Sequence, residues 1–366
     1  MSSWYPTRND LFVGNFVKRQ AELFSRKYQV TVLITKAEEG LKSVEITETN
    51  DTDFREVIVY HPKGKNLFQK YRLQKNALKV GMKRIQNVNL IHGHVILPRG
   101  LQFVYAKKYY NCPLLVTEHG SYFREAVFNK RSAVDKYILK KIRKHIDQLT
   151  AVSEFLKKDL QRVFPEKPID ILPNHVNTEV FIPKEKEKDA PTSFLHVSTL
   201  DEKLKNPKGI IDACEILVMS GNTDFTLTIV SDEPVQKWVS YTASKNLSNY
   251  IRFVGQTAWF DLVPYYQNSD AFVLFSSYET FSIVLAEAWA CGIPTLTTSV
   301  GIGHELSNEL GIQIKINSEE SLANAMIEIM KNNTTFDKTK IRANAEQFSE
   351  GKIISTFDEL IQNLVK

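Results

Sequence analysis

Two carboxylates eight residues apart, Glu279 and Glu287, are the side chains of this 366-residue chain best placed to do chemistry. The apolar run at residues 272–275 reads as a buried parallel strand. A short polar loop, residues 276–280, carries Glu279. A helical pattern follows, with Ile283, Val284, Leu285, Ala288 and Trp289 apolar, Glu287 within it and Cys291-Gly292 at its end. Ile293, Pro294 and Leu296 open another strand, and Gly301-Ile302-Gly303 reads as a flexible turn. The helix N-terminus falls near Phe281 and Ser282. Unpaired backbone N–H groups there carry about half a positive charge and suit a phosphate. From Ser282 to Glu287 the helical rise gives roughly 7.5 Å, about the separation of a nucleotide's β-phosphate from its ribose diol. One stretch could hold a diphosphate on the helix end, a ribose on Glu287 and a sugar hydroxyl on Glu279. The competing reading makes both glutamates solvated residues favoured by the helix dipole, and Glu-x7-Glu alone occurs by chance in most chains. The strand–helix–strand setting followed by Gly-Ile-Pro favours the ligand reading.

The elements that must position these groups read as two domains, for which the chain has length enough. Hydrophobic residues make up 43% and charged residues 24%, as in an ordinary globular protein. No apolar run approaches the ~20 residues of a membrane span, and nothing at the start reads as a signal peptide. Cys112, Cys214 and Cys291 are scattered in apolar patterns and read as buried thiols in a reducing compartment, so the expected location is cytoplasmic. Residues 1–180 hold 31 Lys/Arg against 18 Asp/Glu, a net of +13, and the remainder nets −8. That asymmetry predicts a first half facing a polyanion or an anionic membrane surface.

Along the chain, Phe16, Ala21 and Leu23 give a first helix its apolar side, and Val30, Val32 and Ile34 alternate as a strand. Gly14-Asn15, ahead of that helix, would let backbone approach a phosphate or acceptor. Residues 57–60 read as a strand, 67–87 as a basic helix, and 89–95 as a strand ending in His92 and His94. Residues 114–117 form another strand, running into Glu118-His119-Gly120. Strands alternating with helices predict a doubly wound sheet with ligands at the strands' C-terminal ends, where His94 and His119 fall. Val134, Tyr137, Ile138, Ile142 and Ile146 form a stripe opposite Lys136, Lys140, Arg143 and Lys144. This segment is either a helix lying on anionic lipid or a packed helix with a solvated basic face. Ser153 caps a helix over 154–164, and residues 184–189 read as a charged linker.

YETFSIVLAEAWACGIP, residues 278–294, resembles the donor-site signature of the retaining glycosyltransferase family 4, whose GT-B fold sets two Rossmann-like domains across a cleft. The resemblance implies that Glu279 approaches the transferred sugar and Glu287 the ribose. The backbone around Thr280, Phe281 and Ser282 would take the distal phosphate. It places domains at 1–180 and 190–350, with 351–366 crossing back to the first. The opening resembles the family's first strand, loop and helix, but only Met1 precedes Ser2-Ser3-Trp4-Tyr5-Pro6, which leaves the first strand abbreviated. Strand then His-Gly at 116–120 implies that His119 contacts sugar or acceptor, while His92 and His94 read as structural. LPNHVNTEVF resembles the interdomain segment, with Asn177 where an aspartate often stands. In the loop after residues 194–197, Lys205 meets the lysine of the family's diphosphate clamp, with Lys208 as a weaker substitute. The clamp's arginine is absent, and Thr199 stands there. A lysine is needed because the leaving nucleoside diphosphate gains negative charge. Residues 253–255, Val254 among them, would border the base, and Tyr265 and Tyr266 read as core.

The implied function is retaining hexosyl transfer from a nucleotide-diphospho-sugar co-substrate to a saccharide or lipid-linked saccharide in cell-surface polysaccharide assembly. No cofactor, metal or nucleic acid is expected, and the enzyme would be cytoplasmic or peripheral on the membrane's inner face. Asp51-Thr52-Asp53 mimics a metal-binding motif but ends no apolar strand. A sugar-nucleotide epimerase of the same fold is one rival. A non-catalytic polyanion-binding protein is the other, and gives the two glutamates no purpose.

Overall fold

The order of strands and helices in the chain divides into two α/β units. The computed structural model describes residues 1–2, 4–11, 13–49, 54–185, 191–331 and 336–365, without the Leu67 side chain. Asp51-Thr52-Asp53 and most of the charged linker lie outside the described residues. One unit comprises Met1–Asn174 with Ile354–Lys366, and the other His175–Ile353.

In the first unit, β1 (Thr31–Glu38), β2 (Glu45–Thr49) and β3 (Arg55–Pro62) form a three-stranded sheet in the order β1-β3-β2. β1 pairs parallel with β3, Leu33 opposite Val57, and β2 is an antiparallel edge. A second sheet joins β4 (Ile91–His94), β5 (Leu114–Glu118), β6 (Gln148–Ala151) and β7 (Ile169–Ile171), all parallel. β5 is buried at all five positions, as a strand covered on both faces must be. The abbreviated first strand survives as one parallel bridge between Ser2 and His94.

Several expectations shift here. β2 was not legible, because EITET carries its exposed polar residues almost throughout. The basic helix is Leu67–Met82 and stops five residues short of the expected end. The first helix, Asn15–Ser25, buries Val17, Leu23 and Phe24 together with Gln20, and the expected Phe16 and Ala21 pack half-buried against the core that holds Val17. The basic amphipathic segment is broken: a helix spans Ala133–Ile142, a tight turn follows at Arg143–His145, and Leu139, Ile142 and Ile146 pack inward. Val134 and Tyr137, placed on the same stripe by sequence, are exposed at 65% and 60%.

In the second unit, β8 (Thr192–Val197), β9 (Phe225–Val230), β10 (Ile251–Val254), β11 (Ala271–Leu274), β12 (Thr295–Thr298) and β13 (Gly311–Ile314) make one parallel sheet ordered β10-β9-β8-β11-β12-β13. Its core includes Phe194, Ile210, Leu227, Val273 and Phe275. Cys214 and Cys291 are buried free thiols here, as Cys112 is in the first unit. The helix Ile283–Ala290 is buried almost all round, with Trp289 2% exposed. The last helix, Glu350–Ile361, begins in the second unit and ends in the first.

The Gly301–Gly303 segment is not the flexible turn its composition predicts. All three residues are buried, and Ile302 N–H donates to the Phe281 carbonyl at 2.9 Å. Gly301 has φ +55°, and a Cβ there would lie 2.5 Å from Phe281 O. Gly301→Ala should therefore cost about 1–3 kcal/mol and lower the melting temperature by several degrees. Gly351, inside a helix with open space around its α-carbon, gives the opposite sign: Gly351→Ala should stabilise by about 0.5–1 kcal/mol. Calorimetry on both variants checks the pair of signs.

Candidate functional site

The strand order of the second unit reverses between β8 and β11: the chain leaves β8 toward β9 and leaves β11 toward β12. The two following loops diverge there and open a space at the strands' C-terminal ends, where ligands of such sheets bind. Both are built by local sequence. After β8, His196 donates through Nδ1 to Val273 O at 2.9 Å and its Nε2 accepts from Ser198 Oγ at 2.7 Å, while Ser198 Oγ accepts Leu200 N–H. Burial holds His196 down to about 4, so the imidazole is neutral and serves as a fixed strut. Asp201 accepts the amides of Lys203 and Leu204, turning the chain, and Lys205 N–H closes onto Asp201 O at 2.7 Å. Asn206, in the left-handed region, caps the helix Pro207–Met219 with Pro at its first turn. Ser277 fastens this loop to the other one, through its N–H to Leu204 O and its Oγ to Lys203 O.

The result brings Lys205 and Glu279 together. Lys205 Nζ lies 2.5 Å from Glu279 Oε1, and Ser276 Oγ donates to that same oxygen at 2.7 Å. The side chains are 20% and 10% exposed. Both donors use Oε1, and Oε2 takes no protein donor among the described residues. Lys208 instead pairs with Asp212 at 2.6 Å on an exposed face, away from the pair.

Three residues on, Ser282 begins the helix Ile283–Ala290 at φ 73°, ψ 77°, with no side-chain cap. Its hydroxyl is buried without a hydrogen-bond partner. A serine held in the left-handed region costs of order 1–3 kcal/mol and persists only where the surroundings over-determine it. Gly301 against Phe281 O supplies that constraint. The site thus offers uncapped first-turn N–H groups, a buried hydroxyl and an adjacent ammonium, a combination suited to an anion with several oxygens.

Glu287 sits inside the same helix and is 1% exposed. Its Oε1 accepts from Trp259 Nε1 at 2.6 Å and its Oε2 from the Tyr266 hydroxyl at 2.8 Å. A carboxylate inside an apolar helix needs such charge-assisted bonds to offset its lost hydration. Tyr266, read from sequence as plain core, is buried but has this polar task, and Trp259 had no sequence signal at all. Arg342 closes the helix's other end by donating to Ala290 O at 2.6 Å, and to the carbonyls of Thr178 and Phe181. Asn177 Oδ1 accepts the amides of Glu179 and Val180, a turn-forming task an aspartate would share. Thr199 is exposed after β8, with no cation from its own position. Val254 ends β10, the sheet's far edge, three strands from β11 and so roughly 14 Å away at ~4.8 Å per strand.

In the first unit, His119 follows β5 and is 5% exposed. Its Nε2 lies 3.1 Å from His94 Nδ1, and its ring packs 4.6 Å from that of Phe16. Burial pushes His119 down to about 3, against a weaker upward pull from Asn174. His92 and His94 are also held well below the ordinary range by burial. His92 bonds Thr117 Oγ1 at 2.7 Å. Sequence reasoning passed over Glu118. It is fully buried, and its carboxylate accepts the backbone N–H groups of Ile96, His119 and Gly120 at 2.9, 3.0 and 2.7 Å. It fixes the His-Gly turn, while burial raises it to about 7. Gly14 starts the helix Asn15–Ser25 at φ 72°, and a Cβ would meet Trp4 C at 2.5 Å. Contact with Trp4 is thus a sufficient reason for a glycine there.

Comparison with known proteins bears on this arrangement. Residues 13–180 match the family described as Glycosyltransferase Family 4, and residues 177–348 match Glycosyl transferases group 1. An uncharacterized glycosyltransferase of Methanocaldococcus jannaschii is 24% identical over 304 residues, 82% of each chain. Sucrose-phosphate synthase of Thermosynechococcus elongatus superposes with a TM-score of 0.75 at 20% identity, over 96% of this chain and 92% of that one. Anabaena HepE, solved in complex with UDP-glucose, gives 0.66 at 16% identity, over 83% and 86%. The two α/β units have the GT-B fold, and with both family matches spanning residues 13–348 the chain belongs to glycosyltransferase family 4, the group 1 glycosyltransferases.

Proposed function

We propose that the chain is a retaining hexosyltransferase that takes its sugar from a nucleoside diphosphate and passes it to a saccharide or lipid-linked saccharide acceptor in cell-surface polysaccharide assembly. The observation that carries this reading is the uncapped helix start at Ser282, with its buried unpartnered hydroxyl, beside the Lys205–Glu279 pair. The binding of UDP-glucose by HepE, a protein of the same fold, lends support. In the proposed complex the diphosphate rests on the backbone of Phe281, Ser282 and the first helical turn, with Thr280 at the rim. Lys205 turns from Glu279 toward the phosphate oxygens. Glu279 Oε2 accepts a hydroxyl of the transferred sugar. The ribose is assigned to Glu287 Oε1, which requires the Trp259 indole to give up its hydrogen bond, and Val254 to the base.

In the reaction the bond from the anomeric carbon to the β-phosphate oxygen breaks, and its electron pair leaves with the nucleoside diphosphate. The acceptor oxygen attacks from the face just vacated, and its proton passes to a phosphate oxygen, which preserves the anomeric configuration. Lys205 and the helix end oppose the charge that develops, so the scheme calls on no metal. Neutral His119 contributes a hydrogen bond to a sugar or acceptor hydroxyl. The net +13 of residues 1–180 and the outward Val134, Tyr137, Lys136 and Lys140 support docking on an anionic membrane face, each nearby cation contributing about 1 kcal/mol.

A thermal-shift panel of UDP, GDP and ADP tests donor binding. At 100 times its dissociation constant, the right nucleotide should add about 2.7 kcal/mol of stability. No shift with any of the three would sink the donor assignment. Glu279→Gln should keep that shift yet lose transfer by about 10²-fold or more, while Lys205→Met should lose ~10²–10³ in turnover. Wild-type rates in both variants would remove these residues from the mechanism. Sedimentation with vesicles should show salt-sensitive binding to phosphatidylglycerol and none to neutral phosphatidylcholine; equal binding to both would refute the membrane reading.

A further inference from the structure

Arg99 comes five residues after β4 and precedes the helix Gly100–Tyr110, as His119 comes directly after β5. Both stand beyond the C-terminal ends of neighbouring parallel strands, where sheets of this kind take ligands. Arg99 is half-buried, and its side chain folds back onto β1. Nη1 donates to Thr35 O and lies 3.5 Å from Thr35 Oγ1. Among the described residues these are the only hydrogen bonds of the guanidinium, so Nε and Nη2 keep their N–H groups free. No carboxylate among the described residues pairs with the cation, and burial alone pushes Arg99 down to about 10. A covered cation without a counter-charge is costly to keep.

Two more polar groups adjoin it. Thr35 Oγ1, which Arg99 touches, also lies 3.5 Å from Gln102 Oε1, and Gln102 Nε2 is buried with no hydrogen-bond partner. Thr35 and Ala37 share a face of β1, and His61 of β3 is the registered partner of Ala37. His61 is 3% exposed, and its Nε2 is likewise buried and unpartnered. Its Nδ1 donates to Pro62 O at 3.0 Å, so Nε2 of the neutral ring is an acceptor. Burial lowers His61 against a weaker upward pull from Pro62 O, and the nearby Arg99 charge adds to the lowering. The helix Gly100–Tyr110 starts with no side-chain cap, so its end adds partial positive charge.

We propose that Arg99, Gln102 and His61 form an oxyanion subsite, which takes the carboxylate or phosphate of an acidic saccharide acceptor. The Nε–Nη2 edge of Arg99 would hold two of its oxygens side by side, as a guanidinium does and an ammonium does not. The Gln102 amide would donate to the anion as well, and His61 Nε2 would accept from a neighbouring hydroxyl of the sugar. An Arg99 that only tied the helix to β1 would need Nη1 alone. A neutral sugar would leave the cation uncompensated. Calling the ligand an acceptor rests on the proposed transfer; the anion site itself does not.

Thermal-shift titrations with D-glucuronate, D-glucose 6-phosphate and neutral D-glucose, at ionic strength matched with sodium chloride and without nucleotide, test the site. At about ten times its dissociation constant, one or both acids should raise the melting temperature by about 2–4 °C, and glucose should not. Which acid acts tells carboxylate from phosphate. Arg99→Gln should weaken that binding by about 10–100-fold. Gln102→Glu should abolish the response and raise the melting temperature of the free protein, because its own carboxylate would pair with Arg99. It carries the test should Arg99→Gln fail to fold. Arg162→Gln, on an exposed helix face, should respond like the wild type. No response to either acid, an equal response to glucose, or an acid response that survives in Gln102→Glu would overturn the proposal. The nucleotide panel is separate: its failure beside an intact acid response would sink the donor assignment and leave the anion site standing.

Discussion

The reversal of strand order between β8 and β11 is the constraint on which the second unit's chemistry depends. A parallel sheet sends every strand's C-terminal end to one edge, but only at a reversal do adjacent loops turn away from each other. Lys205 and Glu279 come from those two loops, 74 residues apart in sequence. Nothing in either loop alone would hold an ammonium 2.5 Å from a carboxylate. The struts that do so are ordinary: a neutral buried His196, an Asp201 turn and two bonds from Ser277. The ion pair is largely shielded from water, so it is a stronger and more directional contact than a surface pair. Its use of one carboxylate oxygen leaves the other without a protein donor among the described residues.

The strands of the first unit form two separate sheets. β1 leads toward β3 on one side, and β4 leads toward β5 on the other. Among the described residues no ladder joins β1 to β4, and Met1 and Ser2 bond to β4. The histidines sit at the ends of β4 and β5. His94 contacts His119, and Phe357 stacks against His92. Burial keeps all three neutral, since an imidazolium there would lose its hydration.

Type and spacing are what the sequence shows directly. Glu279, Glu287 and the helix between strands follow from a periodic apolar pattern interrupted by two acids. Lys205 is legible through its distance from β8. What stayed hidden depends on conformation or on distant partners. The left-handed Ser282 has no signature, because serine is not the residue that conformation favours. Trp259 and Tyr266 meet Glu287 from 28 and 21 residues away. Glu118 was passed over, because its three backbone donors are set by the fold. β2 is too exposed to show an apolar face. The stripe containing Val134 and Tyr137 failed for another reason: helical periodicity says which residues share a face, not how far the core extends along it.

The absence of a cation at Thr199 bears on how a donor would be gripped. On the proposed assignment, a diphosphate meets one full positive charge, Lys205, and a set of neutral N–H and O–H donors. Neutral donors at a helix end lose little on salt addition, because each acts within hydrogen-bond distance and is shielded from counterions. A two-cation clamp would bind both ground state and departing diphosphate strongly and release product slowly. With one cation, shared with Glu279 before the donor arrives, part of the attraction is spent breaking that pair. The grip then strengthens most when charge accumulates on the leaving phosphate, where stabilisation raises turnover rather than mere affinity. On that proposed assignment, a hydroxyl in place of a guanidinium would shift the site's electrostatics from holding the donor toward assisting its cleavage.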